Sequence, residues 1–376
     1  MFGSPIRVPH AGRVGLAAAV ALAVLAPVVP AASAPVRPCR PIAAMSTTDL
    51  GTLGGTVTYA THIDDRGRVV GRSETTSGVL HAYRWVRGVM TDLTPELPGP
   101  SEVVAANERG QVLITRSEGP ALLWSRGRSV EVEGGLPVDL NERGQVALNP
   151  PALWDRGTVV PIEAPAGFVV YAMGVGDGGH VYGPVVPLPG PGGGHPSPDY
   201  WFVWKDGVLT PIDVAPYQVS HVVDVDREGR ALIATWGSDA GGSRALLWDG
   251  DGYVDLGSLA PDGDTGATDM NDRGQIVGSS VTPSGRHAFL WEDGEMIDLT
   301  PGAGYSYAAA ISTRGHVTGP LDTGRGFLWW CGELLDLGTP GVYVNRPVDV
   351  NARGHVVSEI DSLTGDRAVL STPLHR

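Results

Sequence analysis

A turn motif that recurs eight times constrains the fold of this chain more than any other feature. In each copy a turn-forming residue is followed three positions later by glycine, and an apolar residue stands two positions beyond the glycine. The eight pairs are Asp64 and Gly67, Asn107 and Gly110, Asn141 and Gly144, Gly176 and Gly179, Asp226 and Gly229, Asn271 and Gly274, Ser312 and Gly315, and Asn351 and Gly354. Because these residues tolerate turn conformations and glycine adopts positive φ without steric cost, each pair predicts a tight hairpin. The first residue of each pair is called the anchor below.

A tryptophan marks a second predicted hairpin in most of the repeats. The copies are Trp85, Trp124, Trp154, Trp204, Trp248, Trp291 and Trp329. All except Trp248 have a glycine three residues later, and Trp248 has one on either side of that position. One large ring at a fixed place in each unit is typical of packing between neighbouring sheets. We therefore interpret these tryptophans as framework residues rather than as ligand contacts.

The repeat predicts an all-β chain built from four-stranded units, since short apolar or alternating segments separate the turns and no helical period follows the N-terminal segment. Such units are typical of the blades of a β-propeller, and an open β-solenoid is the alternative. The last unit lacks its fourth strand, while an outer-strand motif, 48–51, precedes the first unit. We predict eight blades, with seven as the alternative, and a last blade closed by the N-terminal strand, which leaves no long unpaired edge.

The N-terminal 34 residues have the features of a secretion signal. Arg7 and Arg13 precede an apolar stretch, 14–29, and a small-residue cleavage site, 31–34. The stretch is shorter than the roughly 20 residues that a spanning helix needs, so we predict no membrane span. The predicted layout is a signal peptide cleaved near 33–34 (1–34), an N-terminal extension (35–46), a single propeller domain (47–372) and a C-terminal tail (373–376). The mature protein is expected to be secreted or on the cell surface.

Net charge argues against one class of partner. The formal net charge is −14, and loss of the predicted signal removes two arginines and no acid, which leaves −16. A chain so acidic is a poor match for nucleic acid. We expect a monomer that binds an extracellular glycan or protein.

Three motifs resemble those of the extracellular HAF-repeat family of bacteria. They are His287-Ala288-Phe289-Leu290-Trp291, Asp49-Leu50-Gly51-Thr52-Leu53-Gly54-Gly55 and Asn271-Asp272-Arg273-Gly274-Gln275-Ile276-Val277-Gly278. The resemblance spans about 47–371; it is strongest in the first, sixth and seventh units and eroded in the second to fifth and the eighth. It implies an exported, propeller-like repeat protein, and it implies no activity.

The repeat geometry also predicts where a ligand binds. If the first strand of each unit is innermost, the anchor and tryptophan turns share one face of the ring, the tight-turn face, and the longer connections share the opposite, long-loop face. Variable loops on a rigid frame commonly carry binding residues. Tyr217, Tyr305 and Tyr343 on the long-loop face are therefore the candidate ligand-binding residues, for a glycan or a protein.

Catalytic and cofactor motifs are weak in this sequence, which predicts a non-catalytic binding or structural module without a cofactor. Calcium is the alternative, because two segments, 224–229 and 269–274, approach the spacing of a calcium loop, but most anchor turns place arginine where a ligand would stand. An extracellular polysaccharide hydrolase or lyase is the alternative, and carboxylates that converge at one mouth of the central channel would favour it.

The two cysteines, Cys39 and Cys331, are predicted to form a disulfide, because an exported chain permits one and the ring would bring both toward the tight-turn face. Two free thiols are the alternative, and a thiol count under denaturing, non-reducing conditions separates them.

Overall fold

The computed structural model describes residues 41–189, 197–236, 242–338, 344–361 and 365–375. The chain divides into two units, Met1–Cys39 and Arg40–Arg376, and all the described residues belong to the second. The predicted signal peptide lies outside the described residues, so it stays a prediction. In the part of the chain that is described, no helix has the length and apolar character needed to cross a bilayer.

Every regular element among the described residues is a strand. In chain order the strands are β1 (Ile42–Asp49), β2 (Gly54–Ile63), β3 (Val69–Thr75), β4 (Leu80–Val86), β5 (Val89–Asp92), β6 (Ser101–Ala106), β7 (Gln111–Arg116), β8 (Ala121–Ser125), β9 (Arg128–Val132), β10 (Leu136–Leu140), β11 (Val146–Asn149), β12 (Ala152–Asp155), β13 (Thr158–Pro161), β14 (Phe168–Val170), β15 (Gly174–Val175), β16 (Val181–Pro187), β17 (Tyr200–Lys205), β18 (Val208–Pro211), β19 (Gln218–Val225), β20 (Ala231–Trp236), β21 (Ala245–Trp248), β22 (Tyr253–Asp255), β23 (Thr265–Met270), β24 (Ile276–Thr282), β25 (Gly285–Glu292), β26 (Glu295–Asp298), β27 (Ala310–Ile311), β28 (Val317–Pro320), β29 (Gly326–Trp330), β30 (Glu333–Gly338), β31 (Asn345–Val350), β32 (Val356–Ile360) and β33 (Arg367–His375).

These strands form eight antiparallel sheets, which are the blades of a β-propeller. Blades 1, 2 and 3 are β2–β5, β6–β9 and β10–β13, and blades 5, 6 and 7 are β19–β22, β23–β26 and β27–β30. Blade 4 has five strands, because β14 and β15 both pair with β16, which is followed by β17 and β18. Blade 8 has the order β31-β32-β33-β1. The predicted propeller of eight blades is confirmed, and the seven-bladed alternative is wrong.

The N-terminal strand closes the ring, as the sequence predicts. Strand β1 pairs antiparallel with β33, with Thr48 opposite Leu370 and Asp49 opposite Val369. The N–H of Leu50 continues the ladder to the carbonyl of Ala368 at 3.0 Å. The paired strand begins at Ile42, so it is longer than the 48–51 motif that predicts it. Closure leaves no open edge between the first and last blades.

The anchor turns have the predicted conformation in all eight blades. Every turn glycine has positive φ, between 73° at Gly354 and 92° at Gly229. The glycine N–H donates to the anchor carbonyl in each, as from Gly274 to Asn271 at 2.9 Å. The apolar residue two positions beyond the glycine is at most 1 % exposed in every blade. The motif therefore fixes both the turn and the first buried residue of the second strand.

The apolar core lies between neighbouring blades rather than in one central mass. One cluster joins Leu290 and Leu299 of blade 6 to Val317 and Phe327 of blade 7, and the cluster at the ring closure contains Leu50. Among the framework tryptophans, Trp85, Trp154, Trp204, Trp248 and Trp291 are buried, whereas Trp124 and Trp329 are partly exposed. Packing between blades thus accounts for most copies of the repeated tryptophan.

Candidate functional site

A β-bulge in the innermost strand sets which side chains face the central channel. In six blades the pairing of this strand slips three residues before the anchor, as between Ala267 and Asp269 in blade 6. A bulge re-aims the side chains that follow it. The residue two positions before the anchor is His62, Asp139, Asp224, Asp269 or Asp349 in five of these six blades.

Carboxylates converge at the tight-turn end of this channel. A cavity of about 360 Å³, the channel cavity, is lined by Asp139, Asp224 and Asp269 and by the acidic residues one position after several anchors. Those residues include Glu108, Glu142, Asp177 and Asp272. Carboxylates therefore converge at one mouth of the central channel, the arrangement that would favour a hydrolase or lyase.

The carboxylates that follow the anchors join one blade to the next. Asp65 accepts the N–H of Ala352 at 2.7 Å, and Glu108 accepts the N–H of Asp65 at 2.7 Å. Glu142 accepts the N–H of Glu108 at 2.7 Å, and Asp177 accepts that of Glu142 at 2.8 Å. This ladder runs across blades 8, 1, 2, 3 and 4. These acids therefore have a structural role, whatever else they do.

Several of the bulge-positioned acids bond across blades as well. Asp139 accepts the N–H of Val175 at 2.9 Å, and Asp269 accepts that of Ile311 at 2.8 Å. Asp224 accepts the N–H of Val225 on its own strand at 2.7 Å. Backbone N–H donors thus satisfy part of the bonding capacity of each carboxylate.

Burial changes the acidity of this cluster. Burial, reinforced by the neighbouring carboxylates of Asp139 and Asp177, raises the pKa of Asp224 to about 7, although the N–H of Val225 acts in the opposite direction. Burial likewise raises the pKa of Asp269 to about 8, against the opposing effect of the Ile311 N–H. Acids with such pKa values hold protons near neutral pH, as a general acid must.

His62 is the basic group at the channel. Its Nδ1 lies 2.7 Å from Oδ2 of Asp349. Burial lowers the pKa of His62, but the attraction of Asp349 outweighs burial and the net shift is upward. The Nε2 atom of His62 is buried and has no hydrogen-bond partner among the described residues.

The anchor side chains bridge blades, a role that the turn motif alone does not reveal. Asn107 Nδ2 donates to the carbonyl of Asn141 at 3.0 Å, and Asn271 Nδ2 donates to that of Ser312 at 2.9 Å. Asn351 donates to the carbonyl of Asp64 at 2.8 Å, which joins the last blade to the first.

In the first calcium-like segment, 224–229, the anchor carboxylate is used by local partners. Asp226 Oδ1 accepts the N–H groups of Glu228 and Arg230, and its Oδ2 pairs with Arg230 Nε at 2.6 Å. Within the described ranges no group of three His, Cys, Asp or Glu side chains has an arrangement suited to a metal ion. The absence of a cofactor stays a prediction.

A second cavity, of about 620 Å³, lies on the long-loop face between blades 4 and 5. It is called the blade 4–5 cavity. Its walls come from the start of β17, from the connection 212–217 and from the start of β19. They include Asp199, Tyr200, Trp201, Asp213 and Tyr217. The volume falls in the range of roughly 300–1,000 Å³ that small-molecule sites occupy.

Of the two predicted ligand-binding tyrosines among the described residues, Tyr217 lines this cavity and Tyr305 does not. Tyr217 is partly buried, packs edge-on against Tyr253 with ring centroids 6.0 Å apart, and donates to Asp255 at 3.3 Å. Tyr305 is 50 % exposed and packs against Tyr307 in the connection between blades 6 and 7. Tyr343 lies outside the described residues. Tyr217 and Tyr305 therefore belong to separate surfaces, and their binding roles stay predictions.

Trp201 is the residue of this cavity that the sequence analysis missed. It stands three positions before the framework tryptophan, where most other blades have alanine or glycine: Ala82, Ala121, Ala245, Ala288 and Gly326. Alignment of the repeats by their framework tryptophans is the signal that reveals it. Neither framework repetition nor a catalytic motif points to this position.

Of the two cysteines in the predicted disulfide, Cys331 lies among the described residues. Cys331 lies in the tryptophan turn of blade 7, with φ of 56°. Cys39 lies outside the described residues, so the pairing of Cys39 with Cys331 stays a prediction.

Comparisons with known proteins support the fold. No protein-family model and no curated protein sequence matches this chain. Among solved structures, oligogalacturonate lyase in complex with manganese is similar with a TM-score of 0.52 at 11% identity, covering 87% of this chain and 93% of that chain. The C-terminal WD40 domain of Sif2 is similar with a TM-score of 0.49 at 16% identity, covering 87% and 99%. At such low identity these similarities concern the propeller fold alone.

Proposed function

We propose that this protein is an exported, non-catalytic binding propeller whose ligand, a glycan or a protein, binds on the long-loop face. The blade 4–5 cavity carries the proposal, because it lies on the face predicted from the repeat and contains Tyr217. Concave sites with aromatic walls and a few polar groups are typical binding sites.

A screen of the purified mature protein against cell-wall and plant glycans, with a peptide library in parallel, tests this function. We expect at least one ligand whose affinity falls when Tyr217 is changed to alanine, because the ring forms part of the cavity wall. Ligands whose affinity Tyr217→Ala leaves unchanged would place binding elsewhere. Tyr171→Ala, an exposed tyrosine of blade 4 that does not line the cavity, is the matched control.

Cleavage of the predicted signal peptide in a secreting host tests whether the protein is exported. Expression with the native N-terminus in a secreting bacterial host should release a protein whose first residue lies near 34–35, because the small-residue site ends there. N-terminal sequencing of the released chain measures the cleavage point. Retention of the intact chain in the cell would contradict export.

A polysaccharide hydrolase or lyase is the second candidate, and the converging carboxylates of the channel cavity favour it. Asp224 and Asp269, whose pKa values are raised to about 7 and about 8, are suited to proton transfer near neutral pH. New reducing ends or unsaturated products in the glycan screen would replace the non-catalytic proposal. Their loss in the Asp269→Asn variant would locate the chemistry in the channel.

A further inference from the structure

The tryptophan turns divide the tight-turn face into a basic arc and an acidic arc. Each turn joins the third and fourth strands of its blade, so antiparallel pairing places it at the same end as the anchor turn. In blades 1–3, the four residues after each framework tryptophan include four arginines and a single carboxylate: Arg87, Arg126, Arg128, Arg156 and Asp155. In blades 4–6 they include six carboxylates and a single lysine: Asp206, Asp249, Asp251, Glu292, Asp293, Glu295 and Lys205.

The arginines of the basic arc occupy a backbone position that does not favour them. Arg87, Arg126 and Arg156 have positive φ of 49°, 52° and 50°, and Asp206 and Asp293 have 48° and 51° at the equivalent position. This conformation favours glycine, asparagine and aspartate. The aspartates of the acidic arc therefore follow the preference of the turn, whereas the preference of the turn gives no reason for arginine in three successive blades.

The charges of both arcs are exposed. All four arginines and all six carboxylates face solvent, and the side chain of Arg156 is 86% exposed even though it lies 3.7 Å from Asp155. The anchor turns, nearer the channel, carry both signs side by side in five of the eight blades, as at Glu142 and Arg143. The separation of charge therefore belongs to the tryptophan turns.

A second copy of the chain has the complementary arrangement of charge. When two identical faces meet about a two-fold axis that lies in the plane of contact, each blade faces the blade related to it across that axis. An axis at the boundary of blades 3 and 4 places blades 1, 2 and 3 over blades 6, 5 and 4 of the second copy. Every turn of the basic arc then meets a turn of the acidic arc, and the symmetry makes each contact twice.

An anionic polymer is the other partner that exposed arginines suit. Such a polymer would use the basic arc alone, and the adjacent acidic arc would repel it. From the two arcs together we infer that this protein forms a two-fold dimer through its tight-turn faces. The dimer leaves the long-loop face open to ligand, and it replaces the monomer that the sequence analysis expects.

Sedimentation velocity of the mature protein over a range of concentrations tests this inference. Exposed ion pairs are individually weak and are screened by salt. We therefore expect a dimer in about 50 mM NaCl whose dissociation constant rises at least about tenfold in about 500 mM NaCl. A monomer at every concentration in low salt would overturn the inference.

Two charge-reversed variants locate the interface. Arg87→Glu with Arg126→Glu places glutamates opposite the carboxylates of blades 6 and 5, and Asp251→Lys with Asp293→Lys places lysines opposite the arginines of blades 2 and 1. Each variant alone should be monomeric. An equimolar mixture should form a heterodimer, because the glutamates of one variant then face the lysines of the other. A mixture that stays monomeric would overturn the two-fold arrangement.

Glu96→Lys with Glu118→Lys is the matched control. It makes the same change in net charge at two exposed carboxylates in connections of the long-loop face, so the dimer should persist. Loss of the dimer in this control would assign association to net charge rather than to the arcs, and would overturn the inference.

Retention on immobilised polyphosphate distinguishes the anionic partner. A monomeric wild-type protein whose retention Arg87→Glu with Arg126→Glu abolishes would assign the basic arc to an anionic polymer and overturn the dimer. Because the arcs lie on the face opposite the proposed ligand site, failure of the dimer would leave the proposed function in place.

Discussion

The channel cavity and the blade 4–5 cavity differ in the hydrogen bonds of the residues that line them. In the channel cavity, carboxylates at repeated positions accept N–H groups of their own or the adjacent blade, as Asp139 accepts that of Val175. In the wall of the blade 4–5 cavity, the Trp201 indole stands at a position that departs from the repeat, and its Nε1 has no acceptor among the described residues. Repeated polar residues here hold blades together, whereas the residue that departs from the repeat packs its ring between blades 4 and 5.

Closure of the ring should have the largest effect. Deletion of residues 42–49 removes β1 and leaves β33 paired on one edge only, with β32, with the loss of a strand ladder and of buried Ile42. We expect a loss above about 5 kcal/mol, comparable with the whole stability of many domains, and so no cooperative unfolding transition. Thermal unfolding followed by circular dichroism measures this. Thr48→Ala, which keeps the ladder, is the control, and equal melting of the deleted and full chains would show that closure contributes nothing.

The anchor amide should have the next largest effect. Asn271→Ala removes the bond to the Ser312 carbonyl and the acceptor for the N–H groups of Arg273 and Gln275. We expect a loss of about 2–3 kcal/mol, because buried backbone groups lose their partners. Urea unfolding measures the free energy.

Exchange of the Asn–Gln pair of one blade for the Asp–Arg pair found in other blades tests the role of the anchor further. Blades with an anchor Asn commonly have Gln four residues later, as in Asn271 and Gln275, whereas blades 1 and 5 have Asp followed by Arg, as in Asp226 and Arg230. Asn271→Asp alone should destabilise the protein, and Asn271→Asp with Gln275→Arg should recover part of the loss. A double variant no more stable than the single one would show that the two positions act independently.

The local parts of this fold were predictable from sequence, and the contacts between blades were not. Glycine spacing predicted the turns, and the unmatched 48–51 motif predicted closure, because both depend on residues close in sequence or on one missing strand. The bridge from Asn271 to Ser312 joins residues 41 positions apart, and turn spacing does not specify which atoms meet there. The bulge that turns Asp269 toward the channel is likewise invisible in the sequence pattern.

The binding surface was predictable only in part. The long-loop face and the position of Tyr217 on it follow from the lengths of the loops and from the order of the strands in each repeat. Trp201 could have been found by aligning the repeats, yet its position beside a cavity and between two blades depends on contacts between residues far apart in sequence.

A smaller effect is expected from the acidity of Asp224. Its pKa is about 7 in the folded chain and about 3.9 in an unfolded one, so between those values the folded chain binds the extra proton. The contribution of Asp224 to the free energy of unfolding is therefore greatest below about pH 4. It falls as pH rises toward 7 and is constant above about pH 7. Asp224→Asn keeps an acceptor for the Val225 N–H and should stabilise the protein at pH 8 by about 1–2 kcal/mol, a value reduced for the partial exposure of the side chain.

Urea unfolding between pH 5 and pH 8 measures this gain. It should shrink as pH falls, since the wild-type carboxyl becomes neutral. Asp139→Asn is the comparison: it should gain less, because a single amide oxygen replaces two that accept the N–H groups of Leu140 and Val175. A gain at Asp224 that grows toward acid pH would contradict the raised pKa.

The smallest change in stability is expected at Trp201. Trp201→Phe removes an unpaired N–H and keeps most of the buried ring, so the free energy of unfolding should stay within about 0.5 kcal/mol or rise slightly. Trp204→Phe, in the framework position three residues later and 4% exposed, should cost about 1–2 kcal/mol because it leaves space between blades. Urea unfolding of both variants without ligand makes the comparison. A loss of about 2 kcal/mol or more at Trp201 would assign it to the framework, whereas an unchanged free energy of unfolding would separate it from the framework tryptophans.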